Sequence, residues 1–297
     1  MRQWIKRPAL WISLGVLIAA GVLGGAALRR SRKAEPVLAA EMSSTTEAAA
    51  IIMEAEPTTE LATEESTQEP TTEEPTIAAP QKPSTKAEIV AYFNESANRV
   101  KAEQPGYTWK DRVLIDQSAI ECSNRMLDAL APRVLRVVSP IAKFGQWQKQ
   151  DGIAKGADHK GFPVENQSWA SRLEPGFVKS ATCMENGGEY QIKIVLADED
   201  VPALPKDATA TRTGKVMNAW DASMLEDAKM AEPFVTITNF GTNYRDCQIA
   251  CAVDKKTGSL KQITYTVSCI LEIDVKQFGK AHASLPFTRE EAYVINN

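Results

Sequence analysis

The sequence predicts an α+β fold in which helices pack on an antiparallel β-sheet, preceded by a transmembrane helix and a disordered stalk. Three observations carry this prediction. An uncharged apolar run lies near the N-terminus, and an acidic segment poor in apolar residues comes after it. In the remainder, the spacing of apolar residues changes from the helical period of 3.6 to the strand period of 2. The predicted segments are residues 1–33, 34–83 and 84–297.

The apolar run extends from Ala9 to Leu28. Its 20 uncharged residues suffice for a helix that spans the hydrocarbon core of a bilayer. Three basic residues precede the run and four follow it, so the charge bias does not set an orientation. A removable signal peptide has a shorter apolar region with a cleavage site close behind. We therefore expect an uncleaved single-pass anchor, in which Gly21 and Gly25 have the spacing that lets two membrane helices approach closely.

Residues 34–83 form the predicted stalk. They contain eleven Glu, many Thr and Pro, and one basic residue, Lys82. Such a composition buries too little apolar surface to offset the loss of chain entropy, so we expect disorder. A stalk of this length suits a domain held away from a membrane surface, and we expect the C-terminal domain to be extracellular.

The charge of the C-terminal domain excludes one class of partner. Residues 1–33 carry +7, residues 34–83 carry −10 and the whole chain carries −4, so residues 84–297 carry about −1. A nucleic-acid-binding domain needs a strongly basic face. We therefore expect no nucleic-acid partner.

The C-terminal domain opens with a helix. Thr85 and Glu88 have the spacing of a capping box, and Pro105-Gly106 ends the helix. Between them, apolar residues recur at helical spacing, namely Ile89, Phe93, Ala97 and Val100. A second helical region is expected over residues 117–138, and residues 143–175 are expected to form loops.

Strands follow the helices. Asn186-Gly187-Gly188 separates two alternating runs, which is a strong hairpin signal. Further strands are expected at residues 234–239, 244–253, 259–275, 280–287 and 293–295. The longest of them has one apolar and one polar face, as in an antiparallel sheet with one face in water.

Three stretches, TKAEIVAYFNESANRVKAEQPGYT, WASRLEPGFVKSAT and VDKKTGSLKQITYTV, resemble uncharacterised membrane-tethered or secreted proteins of Gram-positive gut bacteria. That family has no catalytic motif to carry over. The layout of a helix on a curved sheet also resembles the half-barrel folds of envelope lipid carriers such as LolA and LppX, at the level of the fold alone. The resemblance implies a location in the cell envelope.

Motifs that carry chemistry are scarce. The only histidines, His159 and His282, do not form an HExxH pattern, and the sequence has no CxxC, GxSxG or SxxK pattern. We therefore expect no metal, cofactor or catalytic site. One enzyme hypothesis remains, because Thr182-Cys183 at a strand end is reminiscent of a sortase, a transpeptidase with a Cys–His–Arg site. It requires His159 or an arginine beside an exposed thiol.

The five cysteines are an odd number, so at least one thiol is unpaired or forms an intermolecular bridge. Cys122 is expected in a helix and Cys183 and Cys269 in strands. Cys247 and Cys251 lie four apart in one strand, which is too far for a mutual disulfide. The default interpretation is that most of these cysteines are buried and act as small apolar residues.

These expectations favour a membrane-anchored extracellular binding protein of the cell envelope that performs no catalysis and carries a lipid or another apolar ligand. The residues expected to line a cavity, or else simply to form the core, are Phe93, Val100, Ile192, Ile194, Tyr265 and Val267. The alternatives are an interaction module that docks an envelope partner through the polar face of its sheet, and the sortase-like enzyme.

Overall fold

The computed structural model describes residues 82–123, 144–223, 237–276 and 280–296. The predicted anchor, nearly all of the predicted stalk and most of the predicted second helix lie outside these residues. In the described part of the chain, one large antiparallel sheet is accompanied by one α-helix, so the fold is mostly β.

Helix α1 (Lys86–Glu103) begins and ends as the sequence predicts. Thr85 is its N-cap, and the capping box with Glu88 is formed in both directions. The helix ends at Gln104, whose left-handed backbone lets its amide donate to the carbonyl of Val100. The apolar face of α1 is buried against the sheet.

Ten strands form the sheet. They are β1 (Gly106–Ile115), β2 (Glu121–Cys122), β3 (Gln148–Lys149), β4 (Val178–Asn186), β5 (Glu189–Leu196), β6 (Glu199–Val201), β7 (Ile237–Tyr244), β8 (Gln248–Asp254), β9 (Leu260–Lys276) and β10 (Lys280–Asn296). The main order is β3-β1-β10-β9-β8-β5-β4, and every pairing is antiparallel.

The β9–β10 hairpin is the centre of the sheet. Each of its strands is 17 residues long and, along the edge that faces away from the other, pairs first with one strand and then with a second. Strand β8 pairs with the first half of β9, and β7 pairs with the second half. Strand β10 likewise pairs with β2 near its start and with β1 along its second half. The sheet therefore has two lobes, which share one hairpin.

Three parts of the chain cover the inner face, which we define as the face that α1 contacts: α1 itself, the segment after β3 and the segment after β6. Helix α1 covers β4, β5 and the adjoining part of β9. In the other lobe, the irregular segment after β6 inserts Val216, Met217 and Trp220, which are at most 5% exposed. The amide of Trp220 donates to the hydroxyl of Tyr244 (3.0 Å), which fixes this segment against β7.

The sequence analysis was wrong about the second helix as far as the structure describes it. Strand β1 was not predicted, residues 117–119 form a single 3₁₀ turn, and Cys122 lies in a strand. The hairpin at Gly187 is confirmed. The two strands predicted at residues 280–287 and 293–295 are one continuous strand, β10.

Candidate functional site

The six residues expected to line a cavity or form the core all lie in one core cluster. None is more than 3% exposed, and they come from α1 (Phe93 and Val100), β5 (Ile192 and Ile194) and β9 (Tyr265 and Val267). Helical spacing gave the direction of the two helix residues and strand alternation that of the four strand residues, and all six are buried. The chain itself surrounds them, because α1 and the segments after β3 and β6 contribute to the same cluster.

The structure does not bring Cys183 and His159 together. Cys183 lies on β4, at one edge of the sheet, and burial raises the pKa of its thiol, which disfavours the nucleophilic thiolate. His159 is 2% exposed and packs against Tyr107 of β1, on the far side of the sheet. Its two ring nitrogens lie 2.7 and 2.5 Å from the carbonyl oxygens of Ala157 and Pro105. His159, one of the two kinds of neighbour that the sortase hypothesis allows, therefore does not lie beside Cys183.

Three further cysteines behave as small apolar residues. Cys247, Cys251 and Cys269 are buried and form no disulfide. Burial raises the pKa of the first two to about 12 and that of Cys269 to about 11. These thiols stay protonated at physiological pH, which confirms the default interpretation for them.

A buried ion pair lies on the inner face of β10. The guanidinium of Arg289 contacts the carboxylate of Glu291, and the two residues are 7% and 1% exposed. Asn218 donates to the other carboxylate oxygen (3.1 Å) and accepts from the amide of Glu165 (3.0 Å), which links β10 to two loops. The carboxylate is thus neutralised within the fold.

A second charged cluster is exposed near the start of β10. Nδ1 of His282 lies 2.7 Å from Asp274, and Nε2 lies 2.9 Å from Glu272. The hydroxyl of Ser284 donates to Glu272 (2.6 Å), and Ser123 exchanges two hydrogen bonds with the backbone of His282. The hydrogen bond to Asp274 and the contacts with Glu272 raise the pKa of His282 above its ordinary value of 6.5.

We expect this cluster to make stability depend on pH. Because the folded pKa is raised, its contribution is complete below pH 6.5 and is lost as the pH rises through the folded pKa. His282→Gln should flatten the decrease in the urea midpoint between about pH 6 and about pH 9. An unchanged pH profile in this variant would contradict the assignment, and Lys256→Gln, in an exposed turn, is the control.

A shallow groove of about 330 Å³ lies between the end of α1 and the β8–β9 turn. Its lining holds two acidic and two basic side chains. One of the basic side chains, Lys261, lies 3.1 Å from Asp254 of the lining and 3.1 Å from Glu189 beside it. Thr257 and the backbone of the turn also satisfy Asp254. The groove therefore has no strong preference for a cation or an anion.

The outer face of the sheet, which is opposite the inner face, carries a cluster of basic and aromatic side chains. It is formed by Lys110, Arg112, Trp147 and Lys149. We call it the basic–aromatic cluster. The ammonium of Lys110 lies 4.7 Å from the ring centroid of Trp147, and the guanidinium of Arg112 lies 4.6 Å from it. Trp147 is nevertheless 37% exposed. Lys149 is directly opposite Lys110 in the β1–β3 pairing.

The arrangement concentrates positive charge on a nearly neutral domain. Glu290, directly opposite Arg112, is the carboxylate that pairs with it. Lys110 and Lys149, by contrast, are like charges directly opposite each other on neighbouring strands, which is a destabilising arrangement. The sequence analysis missed this cluster, because nothing local to Lys110 or Lys149 indicates their register. The only local signal for the cluster is that Trp147 is followed by Lys149 two positions later.

In the part of the chain that the structure describes, no three His, Cys, Asp or Glu side chains converge as metal ligands would. Within the same residues, no helix combines the length and apolar character needed to cross a membrane. No protein-family profile matches the chain, and neither a curated protein nor a solved structure is significantly similar to it.

Proposed function

We propose that this protein is a membrane-anchored binding module of the cell envelope, and that the basic–aromatic cluster binds an anionic polysaccharide there. The observation that carries the proposal is the placement of Lys110 directly opposite Lys149, beside the exposed ring of Trp147. An anionic ligand relieves the repulsion between the two lysines. The uncleaved anchor and the acidic stalk, both expected from the sequence, hold the domain where such polymers occur.

The outer face supports a binding role better than the inner face does. The six residues named for an apolar ligand are buried among the chain's own side chains, so a lipid would have to displace part of the core. The lysines of the cluster are exposed, and Trp147 offers an aromatic edge next to them. Cations beside an aromatic ring suit a polymer of sugar rings that bears phosphate or carboxylate groups.

The test is binding of the full chain, in nanodiscs of neutral lipid, to immobilised dextran sulfate. Lys110→Glu combined with Lys149→Glu should weaken binding about tenfold or more, since two attractions become repulsions. The matched control is Lys193→Glu with Lys256→Glu, which makes the same change in net charge at other exposed lysines and should change binding less than about twofold. Binding by the parent chain should also weaken as salt is added.

Three results would contradict the proposal. Equal losses in the two double variants would mean that net charge alone drives association. Equal binding of unsulfated dextran would remove the role of anionic groups. Tighter binding of single-stranded DNA than of any anionic polysaccharide would assign the cluster to a different class of partner.

A further inference from the structure

Two cations of the basic–aromatic cluster have no countercharge of their own. Arg112 contacts Glu290, but neither Lys110 nor Lys149 forms an ion pair with any residue that the structure describes. Both lysines are exposed, and they face each other on neighbouring strands. A segment that brings carboxylates to both of them relieves this repulsion.

The predicted stalk carries carboxylates in excess. Its residues 60–69, ELATEESTQE, contain four glutamates and no basic residue, and we call them the acidic segment. The mutual repulsion of these glutamates decreases when cations lie beside them. The segment also contains Leu61, whose apolar side chain suits the exposed ring of Trp147. The acidic segment and the basic–aromatic cluster are therefore complementary in charge.

The stalk joins the domain beside β4. The ammonium of Lys86, the first residue of α1, donates to the carbonyl of Val178 (3.0 Å). Lys82 lies near Cys183 of the same strand, since its positive charge partly opposes the burial that raises the pKa of this thiol. The stalk thus ends at the β4 edge of the sheet, whereas the basic–aromatic cluster lies near the opposite edge.

The distance between these two places follows from the register of the sheet. Thr182, next to Cys183, is connected to Lys110 by direct pairings through β5, β8, β9 and β10. These are five strand spacings of about 4.8 Å, which amount to about 24 Å along the outer face. Passage around the β4 edge adds about 10 Å, the distance between packed sheets. The acidic segment therefore needs a tether of about 34 Å to reach the cluster.

Residues 70–81 provide a tether of that length. They are twelve residues, PTTEEPTIAAPQ, with a proline at every fifth position. Proline-rich linkers favour the polyproline II conformation, which rises about 3.1 Å per residue, so this tether spans about 37 Å. A segment tethered within reach has an effective concentration on the order of millimolar. We propose that the acidic segment binds to the basic–aromatic cluster of its own chain when no anionic ligand is present.

This contact makes the stalk a competitor of the ligand, a consequence that rests on the proposed function of the cluster. An anionic polysaccharide must displace the acidic segment before its own charged groups approach Lys110 and Lys149. Anions that offer fewer charges than the four glutamates of the segment are thereby disfavoured. Displacement also frees the whole stalk, so that a domain with bound ligand extends farther from the membrane.

Carbodiimide cross-linking of the full chain, in nanodiscs of neutral lipid and without any polysaccharide, tests the contact. The reagent joins a carboxylate to an amine with loss of water, so only groups in contact are linked. Mass spectrometry of the monomeric species should find Lys110 or Lys149 joined to glutamates of residues 60–69. Links to Glu73 and Glu74 should be about tenfold rarer. These two lie only nine and eight residues before Lys82, and even a fully extended tether of nine residues reaches about 30 Å.

Three outcomes would overturn the contact. The first is an absence of links between the two lysines and the acidic segment. The second is an equal yield of links to Glu73 and Glu74, which would indicate random collisions of the stalk. The third is linking only in a species of about twice the 32.5 kDa chain, which would assign the contact to a neighbouring copy.

A matched pair of stalk variants tests the competition. Glu64→Gln with Glu65→Gln removes two charges from the acidic segment, and dextran sulfate should then bind about threefold more tightly. The control is Glu73→Gln with Glu74→Gln, which removes two adjacent charges from the tether and should change the affinity less than about 1.5-fold. Equal gains in the two variants would mean that the stalk repels the polymer through net charge alone, which would overturn the competition.

The two measurements separate this inference from the proposed function. If neither the parent chain nor the variants bind dextran sulfate but the cross-links form, the proposed ligand is refuted and the contact stands. If dextran sulfate binds but no cross-links form, the contact alone is refuted. When both hold, addition of dextran sulfate to the parent chain should reduce the yield of cross-links.

Discussion

Gly214→Ala is expected to lower the free energy of unfolding by about 3 kcal/mol or more. A Cβ atom at this position would lie 1.8 Å from the carbonyl oxygen of Ala208 and 2.5 Å from its carbonyl carbon. Both are backbone atoms, so no side-chain rotation relieves the overlap. The loop around Gly214 must therefore open.

The neighbouring hydrogen bonds explain why that opening is costly. The amide of Gly214 donates to the hydroxyl of Thr211 (2.9 Å), and this hydroxyl donates to the carbonyl of Ala208 (2.8 Å). Glu199 accepts from the amide and the hydroxyl of Thr213, at 2.8 and 2.9 Å. Displacing the loop breaks these buried contacts and loosens the adjoining Met217, which is fully buried.

Urea unfolding followed by near-UV circular dichroism measures this effect. The matched control is Gly188→Ala in the β4–β5 turn, where a Cβ atom would meet nothing within 4 Å. We expect its stability to stay within about 0.5 kcal/mol of that of the parent chain. Similar midpoints for Gly214→Ala and Gly188→Ala would contradict the close packing of the loop.

Removal of one partner of the buried ion pair is the second large effect that we expect. Glu291→Leu leaves the guanidinium of Arg289, 7% exposed, without its countercharge, which should cost about 3 to 5 kcal/mol. Replacement of both partners by leucine removes the buried charges together. The double variant should recover much of the loss, because the cost of desolvating the pair also disappears.

A double-mutant cycle at fixed pH separates this coupling from changes in packing. The exposed pair between Lys160 and Asp158 is the control, since its side chains are 68% and 61% exposed and the lysine should contribute less than about 1 kcal/mol. If the double variant with Arg289→Leu and Glu291→Leu loses as much free energy of unfolding as the two single variants together, the two charges do not stabilise each other.

The parts of the fold that were predictable are those determined by local pattern. The capping box at Thr85 and the apolar period define α1, and the turn at Gly187 defines the β4–β5 hairpin. Strand β1 was missed for a physical reason. Its inward side includes Asp111, which obscures the alternation, and its partner β10 lies at the far end of the chain.

The candidate sites show the same division. Alternation correctly gave the direction of Ile192 and Tyr265, but a pattern of faces does not reveal what covers a face. Here, Met217 and Trp220 come from a segment without a regular period and fill one lobe. The basic–aromatic cluster depends on the register of β1 with β3, which long-range packing determines.

The position of the first strand has a consequence for the order in which the domain is assembled. Gly106 pairs with Asn296, so the strand that follows α1 has no neighbour on its β10 side until the C-terminal end of the chain has been synthesised. Pairings between such distant segments form slowly, because the intervening loop must close first. The β1–β10 half of this sheet therefore forms only after residues 287–296 have left the ribosome, although local hairpins such as β4–β5 can form earlier.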